Sequence, residues 1–281
     1  MDGINKNYIT KMFDLTGETA IVTGGVGQLG SEYVKTLALA GAKVAVLDIA
    51  KKDNSKIKEL IKNKYPVAIY QADITKKKEV QDIFKKIKTK LGVPTILVNN
   101  AGLDSPPGAS AQENGPYEDY PESSWDAVID SHLKGMFLVS QEFLRHIKPA
   151  KKSGSVINIS STYGVVSPDQ SLYDFRRKKG EDFYKPVAYS VAKSGVLNFT
   201  RWLAEYCRQA KISVRVNTLV LGGVFNNQPE EFLREYNKRN ILNRMARPDE
   251  YNAAILFLAS NKSSSYMTGS TLTVDGGWTA R

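Results

Sequence analysis

Tyr189 and Lys193 stand four residues apart in the run Tyr-Ser-Val-Ala-Lys, a spacing that sets both side chains on one helix face, a turn apart. An ammonium beside a phenol favours the phenolate, bringing a weak acid toward working pH as a usable proton donor or acceptor. Such a pair is common on helix surfaces, so its meaning depends on its company. Upstream, Asn158-Ile159-Ser160-Ser161 ends an apolar run with two hydroxyls.

A second constellation lies near the start. Thr23-Gly24-Gly25-Val26-Gly27-Gln28-Leu29-Gly30 follows an apolar run and opens a helical pattern, with Gly25, Gly27 and Gly30 in G-x-G-x-x-G register. Glycines there permit a tight turn, let backbone N–H groups approach a pyrophosphate, and let the helix pack on the strand. Asp48 closes the next apolar run, about 20 residues on, where a carboxylate can accept both hydroxyls of an adenosine ribose. A helix N-terminus beside a satisfied loop aspartate is the plain alternative. Asp48 would repel a 2′-phosphate, and the glycine loop carries no Arg or Lys, so NAD is expected over NADP.

These groups need strands to hold them. Apolar runs at 19–22, 43–47, 67–70, 95–98, 155–159, 213–219 and 271–274 alternate with segments of helical period. Nearly continuous apolar strands separated by helices predict a parallel sheet covered on both faces. The expected class is α/β, a doubly wound Rossmann fold in a single domain over residues 1–281. Segments 104–122 and about 168–186 break the alternation, each at the carboxyl end of a strand, where open α/β sheets bind ligands.

With Asn99-Asn100-Ala101-Gly102 ending the fourth run, Ser160-Ser161 the fifth, Tyr-x-x-x-Lys after them and Val214-Arg215-Val216-Asn217 beyond, the chain resembles the short-chain dehydrogenase/reductase family from about Phe13 to Trp278. The resemblance implies that Ser161, rather than its rival Ser160, hydrogen-bonds the reacting oxygen. Tyr189 would pass a proton to or from it, while Lys193 tunes the tyrosine and binds the nicotinamide ribose. Hydride would move between the substrate carbon and the nicotinamide. Gly24, Gly25, Gly27, Gln28, Leu29 and Gly30 would form the phosphate loop, with Asp48 and Ile49 at the ribose. Asp73 and Ile74 would flank the adenine, Asn100, Ala101 and Gly102 would run beside the adenosine ribose, and Val224, after Gly222, would hold the carboxamide. The tail Val274-Asp275-Gly276-Gly277-Trp278 looks like the family's subunit interface, implying a homodimer or homotetramer.

The chain departs from the family pattern at three places. Where the family usually has an Asn on the helix after the fourth strand, this chain has His132, shortly before Gly135. An imidazole there can relay protons or anchor a relay water; a satisfied buried histidine is the equal alternative. His146, further along, reads as structural. Gln28 stands where compact members carry a glycine, a spacing resembling the extended branch with its sugar epimerases and dehydratases. Finally, Ser161 and Tyr189 are more than twice the usual interval apart, and the extra residues form a flap bearing Arg176-Arg177-Lys178-Lys179 with Tyr173, Phe175, Phe183 and Tyr184. A basic, aromatic flap suits a small anionic substrate such as a phosphorylated or nucleotide-linked sugar, with Arg176 and Arg177 as contacts. A solvated flap or a subunit contact would read the same way. Residues 225–247 match the family's substrate lid and carry Arg234, Arg239, Arg244 and Arg247. Parts of this lid, with the tyrosine-rich flap, resemble oxidoreductases of surface-polysaccharide and flagellin-glycan (nonulosonic acid) pathways.

Composition bounds the rest. Across 281 residues, 39 Lys+Arg against 29 Asp+Glu give a formal net charge of +10. The lysines recur between apolar positions of helical segments, as solvated faces do, and give no support to a nucleic-acid partner. The arginines of flap and lid read instead as charge over the active site. Cys207 stands alone and the chain has two histidines, so neither an internal disulfide nor a zinc ligand set is expected, and the chain reads as cytoplasmic. No apolar run has membrane-spanning length. The leading expectation is an NAD-dependent oxidoreductase. A 3-oxoacyl-carrier-protein or other small carbonyl reductase and a non-catalytic dinucleotide-sensing protein are its rivals.

Overall fold

The computed structural model describes residues 7–50, 54–104 and 112–280, so positions 105–111 of the first irregular segment lie outside the described residues. A short helix, α1 (Tyr8–Phe13), leads into β1 (Thr19–Thr23), α2 (Gln28–Leu39), β2 (Lys43–Asp48), α3 (Ser55–Lys62), β3 (Val67–Gln71), α4 (Lys77–Leu91) and β4 (Ile96–Asn99). The second half runs α5 (Glu122–Ile129), a π-helical turn (Asp130–Lys134), α6 (Gly135–Ala150), β5 (Gly154–Ser161), α7 (Asp174–Arg177), α8 (Val187–Gln209), β6 (Val214–Leu221), α9 (Glu230–Arg239), α10 (Asn252–Ala259) and β7 (Thr271–Val274).

All seven strands pair in parallel in the order β3-β2-β1-β4-β5-β6-β7. The central strands β1 and β4 are buried along their whole length, successive side chains pointing to opposite layers, while the edge strands β3 and β7 are partly exposed. Ala20 and Val22 join a core with Leu37, Ile57 and Ile255 from α2, α3 and α10. Ile21 between them joins the opposite core, with Phe84, Phe143 and Leu203 from α4, α6 and α8. This is the doubly wound arrangement read from the sequence.

The strands fall where expected, and β5 and β6 run two residues further at their carboxyl ends, which brings Ser160 and Ser161 into the sheet. Successive strands are added outward in one sense from β1 to β3 and in the other from β4 to β7, so the winding switches between β1 and β4, where a crevice opens above their carboxyl ends. Among the described residues no helix is long and apolar enough to cross a membrane.

Candidate active site

A cavity of about 1390 Å³ runs along the carboxyl ends of β1 to β6. At one end, the glycine loop turns into α2. A Cβ on Gly30 would lie 2.1 Å from the Gly24 carbonyl oxygen, so only glycine lets helix and loop close on each other. On Gly27 a Cβ would meet nothing nearer than that oxygen at 3.2 Å, which leaves bare backbone facing the cavity at a helix N-terminus. Gly24, Gly27, Gln28, Leu29 and Gly30 line the cavity. Gly25 does not; it packs against Val46, where a Cβ would come within 2.7 Å. The sequence expectation for Gly25 as a cofactor contact is corrected to a packing role.

Asp48, at the end of β2, accepts from the Val26 N–H at 3.1 Å and the Ala50 N–H at 3.0 Å, which aims the carboxylate along the loop. Its oxygens keep lone pairs for further donors. Ile49 beside it is a large apolar side chain left 64 % exposed at the cavity edge. Asp73 and Ile74 line the wall beyond β3, Asp73 held by the Thr75 N–H and hydroxyl at 2.9 and 2.7 Å. Asn100 ties β4 to the glycine loop, donating from Nδ2 to the Thr23 and Gly24 carbonyls at 3.0 and 3.2 Å. Ala101 and Gly102 continue that wall, and Gly222 and Val224 form the opposite one. The Val224 carbonyl accepts from Gln228 Nε2 at 2.9 Å.

Together these features fit a nicotinamide dinucleotide: a bare helix N-terminus for the pyrophosphate, a carboxylate for a ribose diol, and apolar flanks for rings. When bound, that group supplies the hydride acceptor or donor.

Midway along the cavity the catalytic candidates meet. The helix α8 is fixed on the sheet by a buried chain of hydrogen bonds: Asn99 Nδ2 to Asn158 Oδ1 at 2.8 Å, Asn158 Nδ2 to Thr200 Oγ1 at 2.9 Å, and the Thr218 hydroxyl to Thr200 Oγ1 at 2.7 Å. It presents Tyr189 and Lys193 to the end of β5, where Ser161 stands close enough to the Tyr189 hydroxyl to favour its ionised form. Ser160 points away, donating to the Lys193 carbonyl at 2.8 Å. Lys193 donates to the Ile159 carbonyl at 3.0 Å, its Nζ 5.6 Å from the Tyr189 ring centre.

Burial governs the charges. It pushes the Tyr189 phenol up, Asp104 adds to the rise, and Ser161 opposes it. Lys193 is pulled down to about 8 by burial, against the attraction of Asp104. The expectation that the lysine would bring the tyrosine toward neutral pH is therefore corrected. Burial of the phenol dominates there, because taking a phenolate out of water costs more than its surroundings return.

His132 lies in the π-helical turn, 2 % exposed, with Nε2 2.8 Å from the Leu103 carbonyl and its ring edge-on to Tyr189 at 5.6 Å. Burial, with repulsion from Lys193, lowers it to about 3, so it stays neutral at physiological pH. His146 pairs with Glu142 at 3.3 Å and packs on Phe84, the structural role expected of it.

The basic flap behaves differently from its sequence. Arg177 does not line the cavity; it binds the Phe183 and Gln170 carbonyls and Asp174, stapling the flap to itself. Arg176 lines the cavity but pairs with Glu181 at 2.6 Å over the Phe183 ring. In the lid, Arg239 pairs with Asp169 and Glu235, Arg244 with Glu250, and Arg247 with Asp249 and Glu250, while Arg234 lies near Glu235; none of the four lines the main cavity. The reading of these arginines as charge over the active site is corrected, because each has a carboxylate partner and of the six only Arg176 lines the main cavity.

Sequence reasoning missed Lys185, whose ammonium pairs with Asp104 and lies 4.9 Å from the Tyr189 ring centre. It also missed Gln28 Nε2 donating to the Phe225 carbonyl at 2.8 Å, a strap from glycine loop to lid. No local pattern signals either, since the partners are 81 and 197 residues apart.

Comparison with known proteins agrees with this geometry. Residues 24–279 match the family model described as enoyl-(acyl carrier protein) reductase. The chain is 31 % identical to the NADH-dependent L-xylulose reductase of Ambrosiozyma monospora, over 95 % of this chain and 97 % of that one. It is 30 % identical to the ribulose-forming D-arabinitol 2-dehydrogenase of Candida tropicalis, over 96 % and 95 %. Its fold is similar to that of a short-chain dehydrogenase from Leptospira borgpetersenii solved with NAD+, with a TM-score of 0.81 and 32 % identity, covering 96 % of this chain and 95 % of that one. Glycine loop, Asp48 and the Ser161–Tyr189–Lys193 cluster, with a match across nearly the whole length, place the chain in the short-chain dehydrogenase/reductase family.

Proposed function

We propose that this protein is an NAD-linked oxidoreductase acting on a secondary alcohol or ketone carbon of a polyhydroxylated, sugar-like substrate. The observation that carries the reading is the meeting of Ser161, Tyr189 and Lys193 in the same cavity whose far end presents Asp48. Ser161 holds the substrate oxygen. Tyr189, kept protonated by burial, gives its proton to that oxygen in the reductive direction; in the oxidative direction it must first release its own proton to solvent before it takes the one from the alcohol. Lys193 sits against the ring and binds the ribose of the cofactor. Neutral His132 positions the Tyr189 ring and is no proton donor at neutral pH.

The charge balance of the flap supports a neutral substrate, because Arg176, Lys179 and Lys185 each meet a carboxylate. Relatives named for L-xylulose and D-arabinitol support a polyol or ketose. A phosphorylated or nucleotide-linked sugar, as in surface-polysaccharide or flagellin-glycan pathways, is the second reading. It is favoured by Arg176 and Lys179 at the cavity wall. An exposed apolar face of Phe137, Val191, Trp202 and Tyr206 on α6 and α8 supports a homodimer or homotetramer. A single cysteine, Cys207, with no second thiol in the sequence to close a disulfide, supports a reducing, cytoplasmic compartment.

The test has two arms. Fluorescence titration should show NADH binding more tightly than NADPH, with Asp48→Ala narrowing the gap; tighter NADPH binding in the wild type would remove the cofactor assignment. Absorbance assays over pentitols, ketoses and sugar phosphates should show turnover that Tyr189→Phe abolishes, and undiminished turnover in that variant would remove the mechanism.

A further inference from the structure

We propose that Asp104 and Lys185 form the subsite for the hydroxyl beside the reacting carbon, and so set the enzyme's preference for polyhydroxylated substrates; this rests on the polyol reading above. Lys185 precedes α8 by one proline, and its Nζ lies 4.9 Å from the Tyr189 ring centre. Asp104, in the loop after β4, meets that ammonium with both carboxylate oxygens, Oδ2 at 2.6 Å. Both residues line the same cavity as Ser161 and Tyr189.

The pair is placed as a recognition element would be. Its cation is held from a fixed stretch of chain: the Lys185 backbone N–H donates to Gln170 Oε1 at 2.8 Å, and the side chain is only 13 % exposed. Its anion faces the opening, with the Asp104 side chain 57 % exposed. The charge of Asp104 is also felt at Tyr189 and Lys193, holding both up, which fits its nearness to the reacting atoms.

Chemistry then selects the neighbour of the reacting carbon. A hydroxyl there donates to the carboxylate and accepts from the ammonium, replacing the water that substrate entry displaces. An alkyl group would dry an ion pair and return nothing to it, which is costly. A carboxylate or phosphate at that position would face Asp104. The subsite therefore favours a vicinal diol or α-hydroxy ketone over both an acyl chain and an acidic group.

Two substrates of one carbon skeleton test this, 2,3-butanediol and 2-butanol, assayed with NAD on the wild type, Asp104→Asn, Lys185→Met and Lys185→Arg. The wild type should favour the diol in kcat/KM by about 100-fold or more. Asp104→Asn and Lys185→Met should each cut that ratio about tenfold, through KM for the diol, with the NADH dissociation constant unmoved. Lys185→Arg, which keeps the charge, should retain most of the preference. If Lys185→Met melts early or loses NADH binding, the near-isosteric Asp104→Asn carries the test alone. A diol preference that persists in Asp104→Asn overturns the subsite while leaving the polyol reading standing. A wild type with no preference for the diol overturns both.

Discussion

His132 occupies the space that a side chain at residue 102 would need: a Cβ on Gly102 would stand 2.0 Å from its Cε1 and 2.2 Å from its Nδ1. The ring cannot retreat, because the Leu103 carbonyl holds Nε2 on one side and Tyr189 closes the other. The π-helical turn over Asp130–Lys134 positions the imidazole there, as such turns often do at functional sites. A cavity-wall glycine and a helix residue are thus a matched pair.

Gly102→Ala should cost about 1–3 kcal/mol of stability in urea unfolding, the usual penalty for overpacking a filled site. It should also weaken NADH binding, since the wall it distorts lines the cavity proposed to hold the dinucleotide. Adding His132→Ala should recover most of the loss. A Gly102→Ala variant as stable as the wild type would show that the imidazole moves freely.

Stability should fall with acid in a way that tracks His132. Its pKa is about 3 folded, against an ordinary value of 6.5, so between those values the unfolded chain binds the extra proton. The contribution is constant above about pH 6.5 and is lost as pH falls, amounting to about 2 kcal/mol by pH 5. Unfolding free energies at pH 7.5 and 5 should differ by about that much more in the wild type than in His132→Asn; equal slopes would contradict the low pKa.

Lys193 should impose an alkaline limit on the reductive reaction. Burial holds it at about 8, so its charge is lost above that pH while the Tyr189 phenol is still protonated. We expect kcat/KM for ketone reduction to decline above about pH 8, and Lys193→Arg, if active, to shift that limb beyond the assay range because guanidinium does not titrate there. A profile level to pH 10 in the wild type would count against this.

Gln28→Gly, which restores the spacing usual in compact relatives, should free the lid from the glycine loop. Losing the hydrogen bond to the Phe225 carbonyl removes about 0.5–1.5 kcal/mol. Release of NADH by stopped-flow fluorescence should accelerate about two- to tenfold, and an unchanged rate would show that the strap does not restrain the cofactor.

Much of this site was legible in the chain because its signals are local. Alternating apolar runs fixed the seven strands, and the glycine spacing and Tyr-x-x-x-Lys each lie within one turn or loop. Charges were harder. Arg176 and Arg177 looked like free cations because Glu181 reaches Arg176 only once the flap folds, and the carbonyls of Gln170 and Phe183 reach Arg177 in the same way. His132 was ambiguous because its pKa depends on the shape of a wall thirty residues away. Sequence shows which groups are charged, while burial and long-range pairing decide what the charge does.

The flap and lid, finally, are fastened to each other. Arg239 of α9 binds Asp169 and Ser171, Lys179 pairs with Glu231, Tyr173 sits between Phe183 and Phe232, and Tyr236 stacks on Trp278 near the end of the chain. An inserted loop held this way cannot drift independently in evolution. Among relatives that carry the long flap, positions 169 and 239, and 179 and 231, should change together, and a switch of substrate written into the flap should bring compensating changes at lid positions such as Glu231 and Arg239 that do not line the cavity.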